Sequence, residues 1–235
     1  MMNTEAFTGR AKAYTEARPG YPDAAVEHIR SIVPHDAVFA DVGAGTGKFT
    51  EQIVRHGYMT FAIEPNADMR EQLVITLAPF PNAAIINGTA EATTLRSNCV
   101  DVITSAQALR RFDIDKFRTE CLRIGKPGCI VITIFNEGHK ISTNYKSIGK
   151  ISEGYDIATR ALYKNPEIKK FPNPHYFTRD KWLLYYSSME GVPLKGEAGY
   201  EAHTAELNGV FDRDSADGIL CLNEVTYVFS EKIGF

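Results

Sequence analysis

The sequence predicts an α/β protein built on a doubly wound, largely parallel sheet in a single domain. Three observations carry that expectation. Val38-Phe39-Ala40-Asp41-Val42 runs into Gly43-Ala44-Gly45-Thr46-Gly47 and then into helix-compatible Lys48 to Val54: strand, glycine-rich turn, helix. Five apolar strand runs alternate with helical patterns within about 100 residues, which implies parallel pairing through right-handed crossovers. Gly43, Glu64, Gly88 and Gln107 all fall at the carboxyl ends of those runs, where such sheets bind ligands.

Composition narrows the class. A chain of 235 residues suits one sizeable core, not two domains and a linker. With 44% hydrophobic and 23% charged residues it reads as globular rather than disordered. A net charge of −3 gives no general pull toward nucleic acid or anionic membrane. No apolar run approaches ~18 residues, so no membrane span is expected. Met1 to Arg10 lacks the apolar core of a signal peptide, so a cytoplasmic location is expected. Cys99, Cys121, Cys129 and Cys221 show no C-x-x-C spacing and read as reduced thiols. No ligand-spaced histidine cluster occurs, and no metal is expected.

The elements follow in order. The run to Ala17 is helix-compatible, and Arg18-Pro19-Gly20-Tyr21-Pro22 must turn, because each proline disfavours helix in the residue before it. Asp23 to about Val33 is a helix with Ala25, Val26, Ile29, Ile32 and Val33 on one stripe. The helix from Lys48 ends at Gly57, a residue suited to the position after a helix. Met59 to Glu64 is a second buried strand. Pro65 and Asn66 turn into a helix reaching about Ala78, stopped by Pro79 and Pro81. Ala84 to Asn87 is a short third strand leading to Gly88-Thr89-Ala90-Glu91, and Cys99 to Ser105 a fourth. Asp115 to Ile124 is a helix, Gly125-Lys126-Pro127-Gly128 a turn, and Cys129 to Phe135 a fifth strand. Beyond His139, Ser142 to about Tyr163 reads as a helix broken near Gly149 and Gly154. Lys169 to Phe177 reads as a sixth strand whose prolines suit an edge. Thr178 to Met189 and Glu201 to Asp214 read as helices, and Ile219 to Phe229 as the closing strand.

The glycine spacing points to a ligand. A dinucleotide fingerprint is G-x-G-x-x-G, whereas this turn is G-x-G-x-G, with Lys48 where the third dinucleotide glycine belongs and Asp41 two residues before the first. The string Asp41 to Gly47 resembles the first motif of the class I S-adenosylmethionine-dependent methyltransferases. The small-molecule branch of that family (methyltransferase type 11 and 25) is echoed in three further places. Phe7 to Pro22 is similar to its Phe-x-x-x-Ala-x-x-Tyr-x-x-x-Arg-Pro-x-Tyr-Pro segment, Ala106-Gln107-Ala108-Leu109-Arg110-Arg111-Phe112-Asp113 to its Ala-Gln-Ala segment, and Ile124 to Gly128 to its Lys-Pro-Gly-Gly turn.

The resemblance implies a Rossmann-like sheet of seven strands in order 3-2-1-4-5-7-6, with strand 7 antiparallel, helices on both faces and a helical cap on the substrate side. It implies residues 1–36 as an N-terminal lid segment, 37–135 as the cofactor core, 136–218 as the cap region and 219–235 as the closing strand. S-adenosylmethionine is then the expected cofactor and S-adenosylhomocysteine its product. Asp41, Gly43, Ala44, Gly45, Thr46 and Gly47 would form the first motif. Glu64, followed by Pro65, Asn66 and Met69, would take the ribose hydroxyls. Thr89, Ala90 and Glu91 would follow the adenine edge, with Thr89 standing where many members carry Asp. Gln107 would lie at the lip. Tyr14 and Arg18 would face the methionine end, or else Tyr14 packs on the core and Arg18 is solvated.

Chemistry and partners follow from the same residues. In-line methyl transfer needs orientation more than a base, so no catalytic residue is assigned. The usual His of the Ala-Gln-Ala segment is Arg110 here, which removes the most obvious titratable group. Arg110 and Arg111 either fork an anionic acceptor such as a carboxylate or stand solvated at a helix start. His139, His175 and Tyr176 are further substrate-side candidates by location. Asn173-Pro174-His175-Tyr176 differs from the Asn-Pro-Pro-Tyr signature of nucleic-acid amino-methylating enzymes in lying far downstream of strand four. The expected partner is therefore a small-molecule acceptor, not DNA, RNA or a membrane. A nicotinamide-dependent oxidoreductase and a non-catalytic cofactor-binding module are the alternatives.

Overall fold

A computed structural model describes residues 8–138 and 152–233. Seven strands form one sheet in the order β3-β2-β1-β4-β5-β7-β6. They are β1 (Val38–Val42), β2 (Met59–Ile63), β3 (Ala83–Ile86), β4 (Val100–Ala106), β5 (Gly125–Gly138), β6 (Glu167–Phe177) and β7 (Leu220–Lys232). The first five pair in parallel, and β7 runs antiparallel to both β5 and β6. The order and the reversed seventh strand are those the resemblance implied.

Helices cover both faces because each strand of the centre is apolar on both sides. On one face α2 (Asp23–Ile32) and α3 (Lys48–Arg55) bury Ala25, Val26, Ile29, Phe49 and Ile53 against Phe39, Val102, Ile130, Ile132 and Val228. On the other, α5 (Ile114–Ile124) and α6 (Glu153–Leu162) bury Phe117, Cys121, Ile124, Tyr155, Ala158 and Leu162 against Ile103, Val131, Phe135 and Phe229. α4 (Ala67–Leu77) packs Leu73 and Leu77 on Val54 and Ala62. A third cluster is the cap: Trp182 and Tyr185 of α7 (Arg179–Ser187) meet Leu207, Val210 and Phe211 of α8 (Tyr200–Asp214), with Ala17 of α1 (Ala11–Ala17) beneath. The Trp182 indole N–H donates to the Leu207 carbonyl, which lets a buried ring keep its polar atom satisfied.

Two expectations need correction. Gly125 to Gly128 is not a free turn: β5 already pairs Gly125 with Val100, then slips so that Val102 meets Ile130. The glycines and proline form a bulge inside one strand, with Gly128 at φ 83°. Gly154 does not break a helix either; it lies in the first turn of α6, and the break expected near Gly149 lies outside the described residues. β5 and β7 also run three residues beyond their expected ends, because they pair with each other continuously from Ile130–Lys232 to Gly138–Glu224. No helix among the described residues is long and apolar enough to cross a membrane.

Candidate active site

The glycine turn is held in place before any ligand is considered. The Gly43 and Ala44 N–H groups both donate to the Ile63 carbonyl, 2.9 and 3.0 Å away. Gly43, Gly45 and Gly47 all have positive φ, where a Cβ is strained. A Cβ on Gly43 would come within 2.6 Å of Ala108 Cβ and 3.2 Å of the Phe112 ring, and one on Gly47 within 2.7 Å of Leu73 Cδ1. A Cβ on Gly45 would meet nothing within 4 Å, so that position faces open space. Asp41 anchors the turn from below: its carboxylate accepts from the Thr50 hydroxyl of α3 at 2.5 Å and from Thr104 of β4 at 2.9 Å. Burial raises its pKa from 3.8 to about 6, against those two hydrogen bonds.

Gly43 and Gly45 border a cavity of about 820 Å³ that also exposes Tyr14, Glu64, Pro65, Asn66, Met69, Ala90, Glu91, Gln107 and Arg111. These come from five separated segments, and the parallel sheet brings all but Tyr14 together at the carboxyl rim of its strands. Glu64 is 7% exposed; its two carboxylate oxygens accept the N–H groups of Gly45 and Asn66, each at 2.9 Å. Burial raises its pKa, and the two N–H donors and the Arg70 guanidinium oppose that rise. Asn66 caps α4 by accepting the Met69 N–H at 3.0 Å, which fixes the rim next to Glu64. Across the cavity, the Thr89 and Ala92 backbones bridge each other, and the Ala90 N–H between them has no partner among the described residues. Glu91 accepts the Asp113 N–H at 3.0 Å and so ties this edge to the start of α5.

A second cavity, about 510 Å³, adjoins the first through Tyr14, Gln107 and Arg111. Arg18, Lys48, Arg110, Glu137, Tyr155, Tyr185, Tyr186, Glu190 and Glu224 are among its walls. Gln107 stands at the junction with φ 61°, a strained conformation for a residue with a side chain. Its carboxamide accepts the Tyr155 hydroxyl at 2.9 Å and donates to the Asn136 carbonyl at 3.3 Å. Burial raises the phenol pKa values of Tyr155 and Tyr185, and that of Tyr186 to about 12, so these three hydroxyls remain donors near neutral pH. Lys48, where a dinucleotide loop would have its third glycine, lines this second cavity, and burial lowers its pKa.

The turn that carries Arg18 is fastened from the far edge of the sheet. Asn136 of β5 and Asn173 of β6 both donate to the Gly20 carbonyl, at 3.3 and 3.2 Å, and Thr226 of β7 links the two asparagines. Gln52 of α3 exchanges hydrogen bonds with both backbone groups of Tyr21. Asn173, part of the Asn-Pro-His-Tyr string, thus serves the N-terminal turn.

Several expected site residues lie elsewhere. Asp41, Ala44, Thr46, Gly47 and Thr89 border neither cavity; they shape the loops behind the first. Arg18 borders the second cavity and not the first. Arg110 and Arg111 do not form a fork: Arg111 pairs with Glu190 at 2.7 Å, while Arg110 lies 5.9 Å over the Tyr155 ring. Tyr176 is 66% exposed and lines neither cavity, because it faces outward on the edge strand. His175 faces Glu224 instead of a cavity, and His139 lies outside the described residues. The walls of the second cavity that no motif marked (Tyr155, Tyr185, Glu190, Glu224) come from the cap and the last strand, where only packing sets their position. Ala108 and Phe112, which border the first cavity and crowd Gly43, lay within the Ala106 to Asp113 string.

Comparison with known proteins agrees with this geometry. Residues 40–133 match the family described as the methyltransferase domain. An uncharacterised methyltransferase of Mycobacterium tuberculosis is 32% identical over 162 residues, covering 68% of this chain; the chain spans 65% of that relative's length. Among solved structures, a candidate type II methyltransferase from Anaeromyxobacter dehalogenans superposes with a TM-score of 0.66 at 18% identity, over 92% of this chain and 97% of that one. The Haemonchus contortus phosphoethanolamine N-methyltransferase 2, in complex with phosphomonomethylethanolamine and S-adenosylhomocysteine, gives 0.59 at 14% identity, over 100% and 60%. At such identities the two structures speak for the fold alone. With the glycine turn, the strand order and the matched domain in one register, the chain belongs to the class I S-adenosylmethionine-dependent methyltransferase family.

Proposed function

We propose that this protein transfers a methyl group from S-adenosylmethionine to a small acceptor that carries an anionic group. The observation that carries the reading is the pair of adjoining cavities, one framed by the glycine turn and Glu64, the other lined by four cations, five phenols and three carboxylates, meeting at Gln107. The first suits the donor for three reasons. Glu64 keeps an ionisable carboxylate where two ribose hydroxyls can donate to it. The open side of Gly45 lets backbone approach the ligand. The unpartnered Ala90 N–H offers a donor to an adenine ring nitrogen, with Glu91 and Asp113 beside it for the exocyclic amine. The bound donor supplies a methyl carbon on a sulfonium sulfur, which the acceptor's lone pair attacks while the C–S electron pair stays on sulfur.

The chain's own residues then have three tasks. Tyr14 and Gln107, common to both cavities, hold the two partners in line, and orientation alone can lower a barrier by ~7–11 kcal/mol. The cap, with α1 fastened to it, keeps water out: Arg10 donates to the Ser187 and Val192 carbonyls at 2.8 and 2.6 Å. Anion binding falls to Arg18, Lys48 and Arg110, since Arg111 is engaged by Glu190. The test is calorimetry with S-adenosylhomocysteine and with NAD(H), followed by methyl-label transfer from the donor to a panel of carboxylic acids. Binding of the homocysteine nucleoside with transfer to an acid supports the reading. Binding of NAD(H) in its place refutes it, and binding without turnover of any acceptor leaves a cofactor-binding module.

A further inference from the structure

Arg18 and Glu224 face the second cavity with opposite charges, and they do not neutralise each other. The Arg18 guanidinium carbon lies 5.2 Å over the Tyr14 ring and 5.0 Å over the Tyr185 ring. The Arg18 Nε donates to the Ser188 hydroxyl at 2.8 Å, which fixes the plane and leaves the terminal nitrogens without a described partner. Glu224, 7% exposed on β7, accepts the Tyr185 hydroxyl at 3.3 Å through one oxygen. Its other oxygen lies 3.1 Å from His175 Nε2, within ion-pair distance but without hydrogen-bond geometry. Arg18 and Glu224 form no ion pair within 4 Å; one sits over the face of Tyr185 and the other at its hydroxyl, so the phenol spaces them apart.

A pinned guanidinium and a buried carboxylate one tyrosine apart in a single cavity are complementary to a ligand with both charges. We infer that the acceptor is amphoteric: a carboxylate taken by Arg18 and, separated from it, an ammonium or amine N–H taken by Glu224. The class is amino acids or amine-bearing acids, and the inference rests on the second cavity being the acceptor site, as proposed above. Glu224 then acts as a specificity residue. An acid without the amine leaves the buried Glu224 carboxylate with only the Tyr185 hydroxyl and the His175 ring beside it, and a site whose charge is left undercompensated discriminates against such an analogue. Lys48, Arg110, Glu137 and Glu190 line the same cavity.

The experiment compares matched pairs, an amino acid and the acid of the same carbon skeleton without its nitrogen, binding to the full chain saturated with S-adenosylhomocysteine. Wild type is expected to bind the amine-bearing member of at least one pair tenfold or more tighter. Glu224→Gln should erase that preference with the S-adenosylhomocysteine affinity unchanged within twofold, and Glu224→Asp should keep part of it. Arg18→Gln should weaken both members of the pair and leave their ratio as it was, a readout that does not depend on the Glu224 variants folding. Equal binding of both members by wild type, or a preference that survives Glu224→Gln, overturns the inference and leaves the donor site standing. Failure to bind S-adenosylhomocysteine at all overturns this inference and the proposed function together.

Discussion

Replacing Asp41 by asparagine should make the protein's stability less sensitive to pH, in a direction and size that its surroundings fix. Asp41 is buried beneath the glycine turn with two hydroxyl donors and no cation in contact among the described residues. Its pKa lies near 6, against an ordinary 3.8. A carboxyl whose pKa rises on folding binds its proton more tightly in the folded state. Its contribution is therefore fully present below pH 3.8 and is lost as pH rises through about 6. A difference of about two pH units corresponds to about 3 kcal/mol. The substituted carboxamide stays neutral and can still meet both hydroxyls, since Thr50 and Thr104 each donate or accept. Urea denaturation of both proteins at intervals between pH 4 and pH 8 measures the effect. Relative to wild type, Asp41→Asn should gain about 2 kcal/mol between pH 4 and pH 7, nearly all of it below pH 6.5, because the unfolded carboxyl is already partly ionised at pH 4. A stability difference independent of pH, or one that shifts against the variant as pH rises, would show that the hydroxyls outweigh burial and refute the reasoning.

Other outcomes follow from the same geometry. Glu64→Gln should weaken S-adenosylhomocysteine binding by about tenfold or more, the worth of a charge-assisted hydrogen bond. In wild type that affinity should fall as pH drops through the raised pKa of Glu64, whereas calorimetry on the variant should give a flat profile. Gly45→Ala should reduce ligand affinity at a stability loss of about 1–2 kcal/mol, because φ is strained but the space is open. Gly47→Ala should cost more stability than that by thermal unfolding, since its new methyl meets Leu73. Asn173→Ala should cost about 1–3 kcal/mol in urea and raise the acceptor KM more than the donor KM, because Gly20 lies two residues beyond Arg18.

Much of the first cavity was legible because its signals are local. A strand ending in Asp41 and three glycines, an acid after the second strand and the Gly88 to Glu91 turn each declare themselves within a few residues, and parallel pairing brings them to one rim. Asp41 belongs behind that rim, which a motif cannot tell from the rim itself: only burial and the two threonine hydroxyls distinguish anchor from contact. The second cavity was poorly legible for the opposite reason. Tyr155, Tyr185 and Glu224 are ordinary residues of amphipathic elements, and their convergence depends on how α6, α7 and β7 pack against the N-terminal turn. The Arg110-Arg111 pair looked like a fork because adjacent residues are close in sequence; a single 3-10 turn (Leu109–Arg111) sends the two side chains to different partners.

The capture of the Gly20 carbonyl by Asn136 and Asn173 has a consequence for how the molecule comes into being. A ribosome releases the chain from its N-terminal side onward. The N-terminal turn meets Gln52 after 31 residues and Asn136 of β5 after 116, but its fastening is complete only when Asn173 of β6 emerges 153 residues on. The glycine turn, Glu64 and the Ala90 edge are by then already synthesised, while Arg18 still awaits Tyr185 and Ser188. A nascent chain arrested before its last strands therefore carries most of the first cavity's wall, while the second cavity still lacks Tyr185 and Glu224.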